Sequence, residues 1–268
     1  MINKPFYQLL VALSIFVAVD SFGFDTSRIE DPEVRECANK ALPAKTAYQV
    51  QKVEVVGSNG YVRESRRKLY WRRSKENDSR VLVRVLEPVD DKGVAVLIND
   101  DAKRNVVNYM TYSPKLRRVR RVTGESFFGS ILGTDFTYED FSFFYRVDER
   151  EEVVRVVDSE VDGHAAYVLE TVKPGEEATY SLVRFFIDKE YCLPTRTEFI
   201  SLNGELRKEL TIDRESIKDV DGRWVPYRTT MFDLKLETQS IFTVEDVEID
   251  PDLHDAMFEV TSLKRGTF

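Results

Sequence analysis

Three carboxylates cluster near the middle of the chain, Asp135, Glu139 and Asp140, and five basic residues precede them, Lys115, Arg117, Arg118, Arg120 and Arg121. A pair of carboxyls held across a cleft can act as acid and base on a glycan. Asp135 or Glu139 could serve an ester in a similar way. The competing reading, which we favour, is that the acidic and basic ends of this stretch pair as salt bridges. The arginines Arg117, Arg118, Arg120 and Arg121 could instead dock an anionic headgroup or a protein partner, or simply solvate a strand end. On a strand, Lys115, Arg117, Val119 and Arg121 share one face, and Leu116, Arg118, Arg120 and Val122 the other. Charge facing both ways is unlike the single basic stripe of a nucleic-acid binder. Between the charged groups lies an apolar loop, Ser126–Gly133, carrying Phe127, Phe128, Ile131 and Leu132, with Phe136, Tyr138 and Phe141 just beyond. Such side chains either plug one end of a β-structure or line and gate an acyl-chain cavity. Gly124, Gly129 and Gly133 are the points where this loop could flex.

Other catalytic patterns are missing. His164 follows Asp162-Gly163 in an expected turn, and His254 falls in an expected short C-terminal helix. The chain has no His-Glu-x-x-His, Cys-x-x-Cys, Gly-x-Ser-x-Gly or P-loop. No metal site or cofactor is therefore expected, and the chain reads as a non-enzyme. Asp90-Asp91 and Asp100-Asp101 are adjacent pairs whose side chains diverge on a strand, and calcium binding at Asp100 and Asp101 lacks the EF-hand spacing.

The elements that must position these residues come from one large, mainly β domain. The 268 residues are 42% hydrophobic and 32% charged, which is globular, and the net charge of −8 argues against a nucleic-acid partner. Residues 1–23 read as a cleavable signal peptide: Lys4, an apolar core Leu9–Val19 shorter than the ~20 residues of a membrane span, then Ser21 and Gly23. An uncleaved anchor is the alternative, which the break at Asp20 disfavours. Residues 24–268 then form one domain, with no linker or repeat. Cys37 and Cys192 are an even pair in an exported chain, either a disulfide or two buried thiols.

A helix is expected from Pro32, capped by Asp31, with Val34, Cys37, Ala38, Ala41 and Leu42 on one face. From Tyr48 onward the period is two, giving about eleven strands joined by short turns, hence antiparallel neighbours. Gly57-Ser-Asn-Gly60, Asp162-Gly163 and Asn203-Gly204 mark hairpins. A short helix is expected to start at Asp250-Pro251 and end near Met257.

The segment from Tyr112-Ser-Pro through Leu116-Arg-Arg-Val-Arg-Arg121 to Gly133-Thr-Asp-Phe-Thr-Tyr-Glu-Asp140 resembles the periplasmic outer-membrane lipoprotein-sorting proteins of the LolA-like superfamily. Phe186-Ile-Asp-Lys189, Leu193-Pro-Thr-Arg196, Asp221-Gly-Arg-Trp-Val-Pro226 and the Asp250–Phe258 tail are similar too. The resemblance covers roughly residues 45 to 265. It implies a curved, incompletely closed antiparallel β-barrel with an N-terminal and a short C-terminal helix covering the opening. It further implies a periplasmic carrier of a lipid or acylated protein, with an inner-membrane exporter as donor and an outer-membrane acceptor. The alternative within the superfamily is an envelope-sensing or protein-docking module.

Overall fold

Period-two alternation becomes strand over most of the chain. The structure is a computed structural model describing residues 31–40, 45–73, 79–101, 106–143, 152–172 and 178–265. The expected signal peptide, and Ala41 and Leu42 of the expected helix face, lie outside the described residues. Helix α1 (Pro32–Lys40) comes first, and the Asp31 carboxylate accepts from the Glu33 and Val34 amides, as an N-cap does. Strands β1 (Thr46–Val56), β2 (Val62–Arg73), β3 (Ser79–Glu87), β4 (Ala95–Asp101), β5 (Val106–Ser113) and β6 (Arg118–Arg121) follow. After helix α2 (Tyr138–Ser142) come β7 (Glu152–Arg155), β8 (Ser159–Val161), β9 (His164–Val172), β10 (Tyr180–Asp188), β11 (Pro194–Ser201) and β12 (Leu206–Ile212). The last strands are β13 (Ile217–Val220), β14 (Arg223–Pro226), β15 (Arg228–Asp233) and β16 (Thr238–Ile249). Among the described residues no helix is long and apolar enough to cross a membrane.

Fourteen strands make one sheet, in the order β6-β5-β4-β3-β2-β1-β16-β15-β12-β11-β10-β9-β7, with β8 also paired to β9. Its neighbours are antiparallel throughout, while β13 and β14 form a separate hairpin. The estimate of about eleven strands was therefore too low. The stretch Val153–Val161 divides into β7 and β8, and Trp224–Asp233 breaks at Tyr227 into β14 and β15. Ile217–Val220 was not recognised, although Asp221-Gly222, at φ 51° and 79°, is a hairpin turn of the same kind as Asp162-Gly163. The Lys115–Arg121 run is not a single strand either, because the chain turns at Pro114–Arg117, where Arg117 takes φ 49°. Among the described residues β6 and β7 end the sheet and do not pair, so the sheet is open rather than a closed barrel.

The sheet buries both faces near its middle. Leu69, Trp71, Val81, Val96, Ile98, Tyr109, Leu210 and Phe242 belong to one large core, which also takes Val34 and Cys37 of α1. Their strand neighbours Tyr70, Leu82, Ala95 and Leu97 point the opposite way and pack with Met257, Phe258 and Leu263. We call the first the front face and the second the back face. Helix α1 and the segment around Met257–Leu263 thus cover opposite faces rather than a common opening. The expected C-terminal helix is also absent as such: two 3₁₀ turns, Asp255–Phe258 and Val260–Lys264, take its place. Asp250 caps no helix there. Its carboxylate accepts from the Lys45 (2.7 Å) and Thr46 (2.9 Å) amides and fastens the start of β1.

Topology dictates what else lies on the front face. Strands β1 to β6 step outward to one edge of the sheet, and β7 begins at the other edge. The chain between β6 and β7 must therefore cross a face, and residues 124–143 do so across the front.

Candidate functional site

The crossing segment carries the apolar and acidic residues singled out above, and its contacts can be followed strand by strand. It leaves β6 with Val122, whose amide donates to Tyr109 O on β5 (2.9 Å). The Phe127 ring then packs edge-on against Tyr109 (5.9 Å) and Phe128 (5.8 Å). Phe127 is partly buried, whereas Phe128 is 41% exposed. Over β2 the segment makes a tight turn, with Leu132 at φ 51° and Gly133 at φ 73°. A Cβ at Gly133 would meet only the movable end of the exposed Arg63 side chain, so it is the positive φ that asks for glycine here. Arg67 Nη2 donates to Leu132 O (3.0 Å), and Arg63 Nη2 to Gly133 O.

Beyond Gly133 the contacts become buried and polar. Asp135 reaches β16, accepting from the hydroxyls of Thr238 and Ser240 while its amide donates to Ser240 Oγ (2.9 Å). Phe136 packs on Phe242 with ring centroids 5.8 Å apart. Thr137 and Asp140 form a capping box for α2: Asp140 N donates to Thr137 Oγ1 (3.1 Å) and Thr137 N to Asp140 Oδ2 (2.8 Å). The same Asp140 carboxylate accepts from Lys208 Nζ on β12 (2.7 Å) and from Tyr180 OH on β10 (2.6 Å). Lys208 also donates to Asp135 O (2.7 Å), and Thr179 N donates to Glu139 Oε1 (2.9 Å). Asp140 is 0% exposed and Lys208 3%. Every charge in this group is matched by a charge or by donors, which makes burial tolerable. Burial and the neighbouring Asp140 carboxylate push the Tyr180 phenol far above its ordinary range. Burial alone pushes the Tyr138 phenol up to about 12.

This arrangement corrects the expected pairing within the segment. Among the described residues, Asp135 and Asp140 are bonded away from the basic run. Together with Glu139 they bond across the sheet to residues of β10, β12 and β16 and the residue preceding β10, which no local spacing reveals. With Asp135 and Asp140 committed to fixed donors, the three carboxylates form an anchor rather than an open cleft. The one local signal that could have found part of it is Thr137-Tyr-Glu-Asp140, whose spacing is that of a capping box.

The arginines of the basic run are exposed: Arg117 in the turn, and Arg118, Arg120 and Arg121 on β6, an edge strand. Arg121 donates to Asn108 Oδ1 (2.5 Å) and Lys115 lies 3.8 Å from Asp91. Charge on an edge strand also discourages pairing with another chain. By register with β5, Arg118 and Arg120 take the front side, and Val119 and Arg121 the back. The six apolar candidates divide by burial. Ile131, Phe136 and Phe141 belong to the front core, Phe127 and Leu132 pack against it, and Phe128 faces outward.

A second element holds the front face. Cys37 of α1 and Cys192, in the turn between β10 and β11, form a disulfide with Cα atoms 5.1 Å apart at a sequence separation of 155. Tyr167 OH donates to Glu33 Oε1 (2.7 Å) nearby.

Comparison with known proteins agrees on the architecture. A family model described only as that of an uncharacterized protein matches residues 77–265, well over half of the chain. Among solved structures, the chain is similar to a domain described as outer membrane lipoprotein-sorting from Vibrio parahaemolyticus (20% identity, TM-score 0.76, covering 87% of this chain and 97% of that one). It is equally similar to a DUF1329 family protein from Desulfovibrio piger (22% identity, TM-score 0.76, covering 86% and 96%). A LolA superfamily protein from Nitrosomonas europaea follows at 18% identity and TM-score 0.64, covering 85% and 98%. No curated protein sequence matches the chain significantly.

Proposed function

We propose that this chain, which belongs to the family matched over residues 77–265 and to the LolA-like superfamily, is a periplasmic, non-enzymatic carrier of a lipid or an acylated protein. The observation that carries this reading is the crossing segment itself. An apolar sheet face is covered by a strap whose first half, Gly124–Gly133, is rich in apolar side chains and leaves Phe128 exposed.

Acyl chains would enter by displacing that half of the strap from the front face. Each methylene leaving water is favourable by about 0.8 kcal/mol. The displaced Phe127, Ile131 and Leu132 lose similar contacts, so the exchange of one apolar cover for another is nearly balanced. A carrier needs such a balance, because a ligand held in a preformed deep cavity would not be released. The reading extends to an inner-membrane exporter as donor and an outer-membrane acceptor. The test is the Phe128→Asp, Leu132→Asp double variant, which should stay folded and lose affinity for a fluorescent acyl probe. Unchanged affinity in the folded variant would remove the strap from the mechanism.

One observation favours a second reading, a protein-docking module. Arg117, Arg118 and Arg120 are exposed, with no ion pair to another described residue. Changing Arg117, Arg118, Arg120 and Arg121 to Glu and repeating both acyl binding and pull-down from an envelope extract separates the readings. Loss of a protein partner with acyl binding intact would favour docking.

A further inference from the structure

Arg67 is a buried cation without a counter-ion among the described residues. Its side chain is only 5% exposed, on the front face of β2. Its hydrogen bonds run to neutral acceptors, from Nε to Ser65 Oγ (3.1 Å) and from Nη2 to Leu132 O (3.0 Å). Burying a guanidinium this way is costly, and a nearby carboxylate normally offsets the cost. Here the charge acting on it is another cation, Arg63, four residues back along the same face, and burial together with that charge lowers the Arg67 pKa to about 9. The two arginines line a cavity of about 230 Å³ with Ser65, Val85, Leu132 and Gly133. Glu64 and Asp91 also border it, but each faces a different cation: Glu64 lies 2.9 Å from Lys52 and Asp91 3.8 Å from Lys115. Asp140, on the same face, shows the contrast, because every donor around it is matched.

We propose that the Arg63–Arg67 cavity is an oxyanion site for a phosphate group, whether the headgroup of a phospholipid or a free phosphate. The volume, about 230 Å³, is that of roughly eight waters, room for a phosphate with part of its hydration. With Nε and Nη2 engaged, Arg67 keeps Nη1 for a ligand, and Arg63 keeps donors beyond its bond to Gly133 O. Planar guanidinium forks match phosphate oxygens, and such charge-assisted bonds are the strong ones. The cavity wall formed by Leu132 and Gly133 belongs to the strap, so a headgroup there would lie beside the apolar surface proposed for the acyl chains. In that form the inference rests on the carrier reading; as a phosphate site alone it does not.

The test compares three probes on the full chain: inorganic phosphate by calorimetry, phosphatidylglycerol vesicles against phosphatidylcholine vesicles by flotation, and a fluorescent fatty alcohol with no phosphate. Each is measured on the wild type and on Arg67→Met and Arg63→Gln. We expect phosphate or phosphatidylglycerol binding to weaken by about tenfold or more in Arg67→Met and less in Arg63→Gln, while fatty-alcohol binding is not weakened, because releasing the Leu132 and Gly133 carbonyls only loosens the strap. Losing an unpaired buried charge should leave Arg67→Met at least as stable as the wild type. Should Arg67→Met not fold, Arg67→Lys keeps the charge without the fork and is expected to show the same loss in milder form. Inorganic phosphate binding alone would assign the site to a free anion; binding only of phosphatidylglycerol vesicles would assign it to a lipid headgroup. Binding of the fatty alcohol with no response to either phosphate probe would overturn the inference and leave the carrier reading standing. Phosphate binding that depends on Arg67, with no acyl probe bound, would keep the site and remove the carrier.

Discussion

Residues 124–133 and residues 134–143 belong to one strap over one face of one sheet, yet they are held by different means. The second half is fixed by directional contacts to distant strands: Asp135 to Thr238 and Ser240, Asp140 to Lys208 and Tyr180, Glu139 to Thr179. The first half rests on apolar contact and on two carbonyls held by Arg63 and Arg67. Directional buried bonds cannot be exchanged for another partner without leaving a charge or donor unmatched. Apolar contact is non-directional and can be replaced by any other apolar surface. The strap therefore has a half anchored by polar bonds and a half held mainly by apolar contact, the one proposed to yield, and the boundary falls at Gly133.

Perturbing the fixed elements should produce the largest effects. Cys37→Ala with Cys192→Ala opens a loop closed across 155 residues and is expected to lower stability by up to about 5 kcal/mol, read by urea unfolding. A variant as stable as the wild type would show that α1 contributes little to holding the front face. Next, Asp140→Ala leaves Lys208 buried without its carboxylate and should cost about 3–5 kcal/mol. A loss under about 1 kcal/mol would erase the distinction between the halves, since the surface range is of that size. The smallest effect is expected at the exposed tip, where Phe128→Asp should change stability by about 0.5 kcal/mol or less. A large loss there would mean the first half is as fixed as the second.

Much of the β architecture was legible because strand alternation and hairpin turns are local. Asp162-Gly163 and the Gly57–Gly60 turn announce themselves in a few residues, and Asp31 with Pro32 announces α1. The cross-sheet partners of Asp135 and Asp140 were not legible. Lys208 lies 68 residues from Asp140 and reads in sequence as one more charge on a polar strand. Alternation places it on the side of Leu206, Leu210 and Ile212, but the partner that makes burial of its charge tolerable comes from the crossing segment, which no local spacing shows. Arg67 was hidden in a similar way: it alternates with Leu69 and Trp71, but its charged neighbours Arg63, Glu64, Arg66 and Lys68 make the stretch read as solvated. The basic run, by contrast, was conspicuous in sequence and proves to be a charged turn and edge strand. Composition draws the eye to exposed charge, whereas the charges that organise the face are single residues inside strands.

The central claim is that the front face exchanges its own apolar cover for acyl chains. Native mass spectrometry of the chain purified from membrane-containing cells, with lipid extraction of the same sample, tests it most directly. The account predicts a co-purifying acylated species, reduced in the Phe128→Asp, Leu132→Asp variant. A bare protein mass, with no uptake of added phospholipid or lipopeptide, would contradict it.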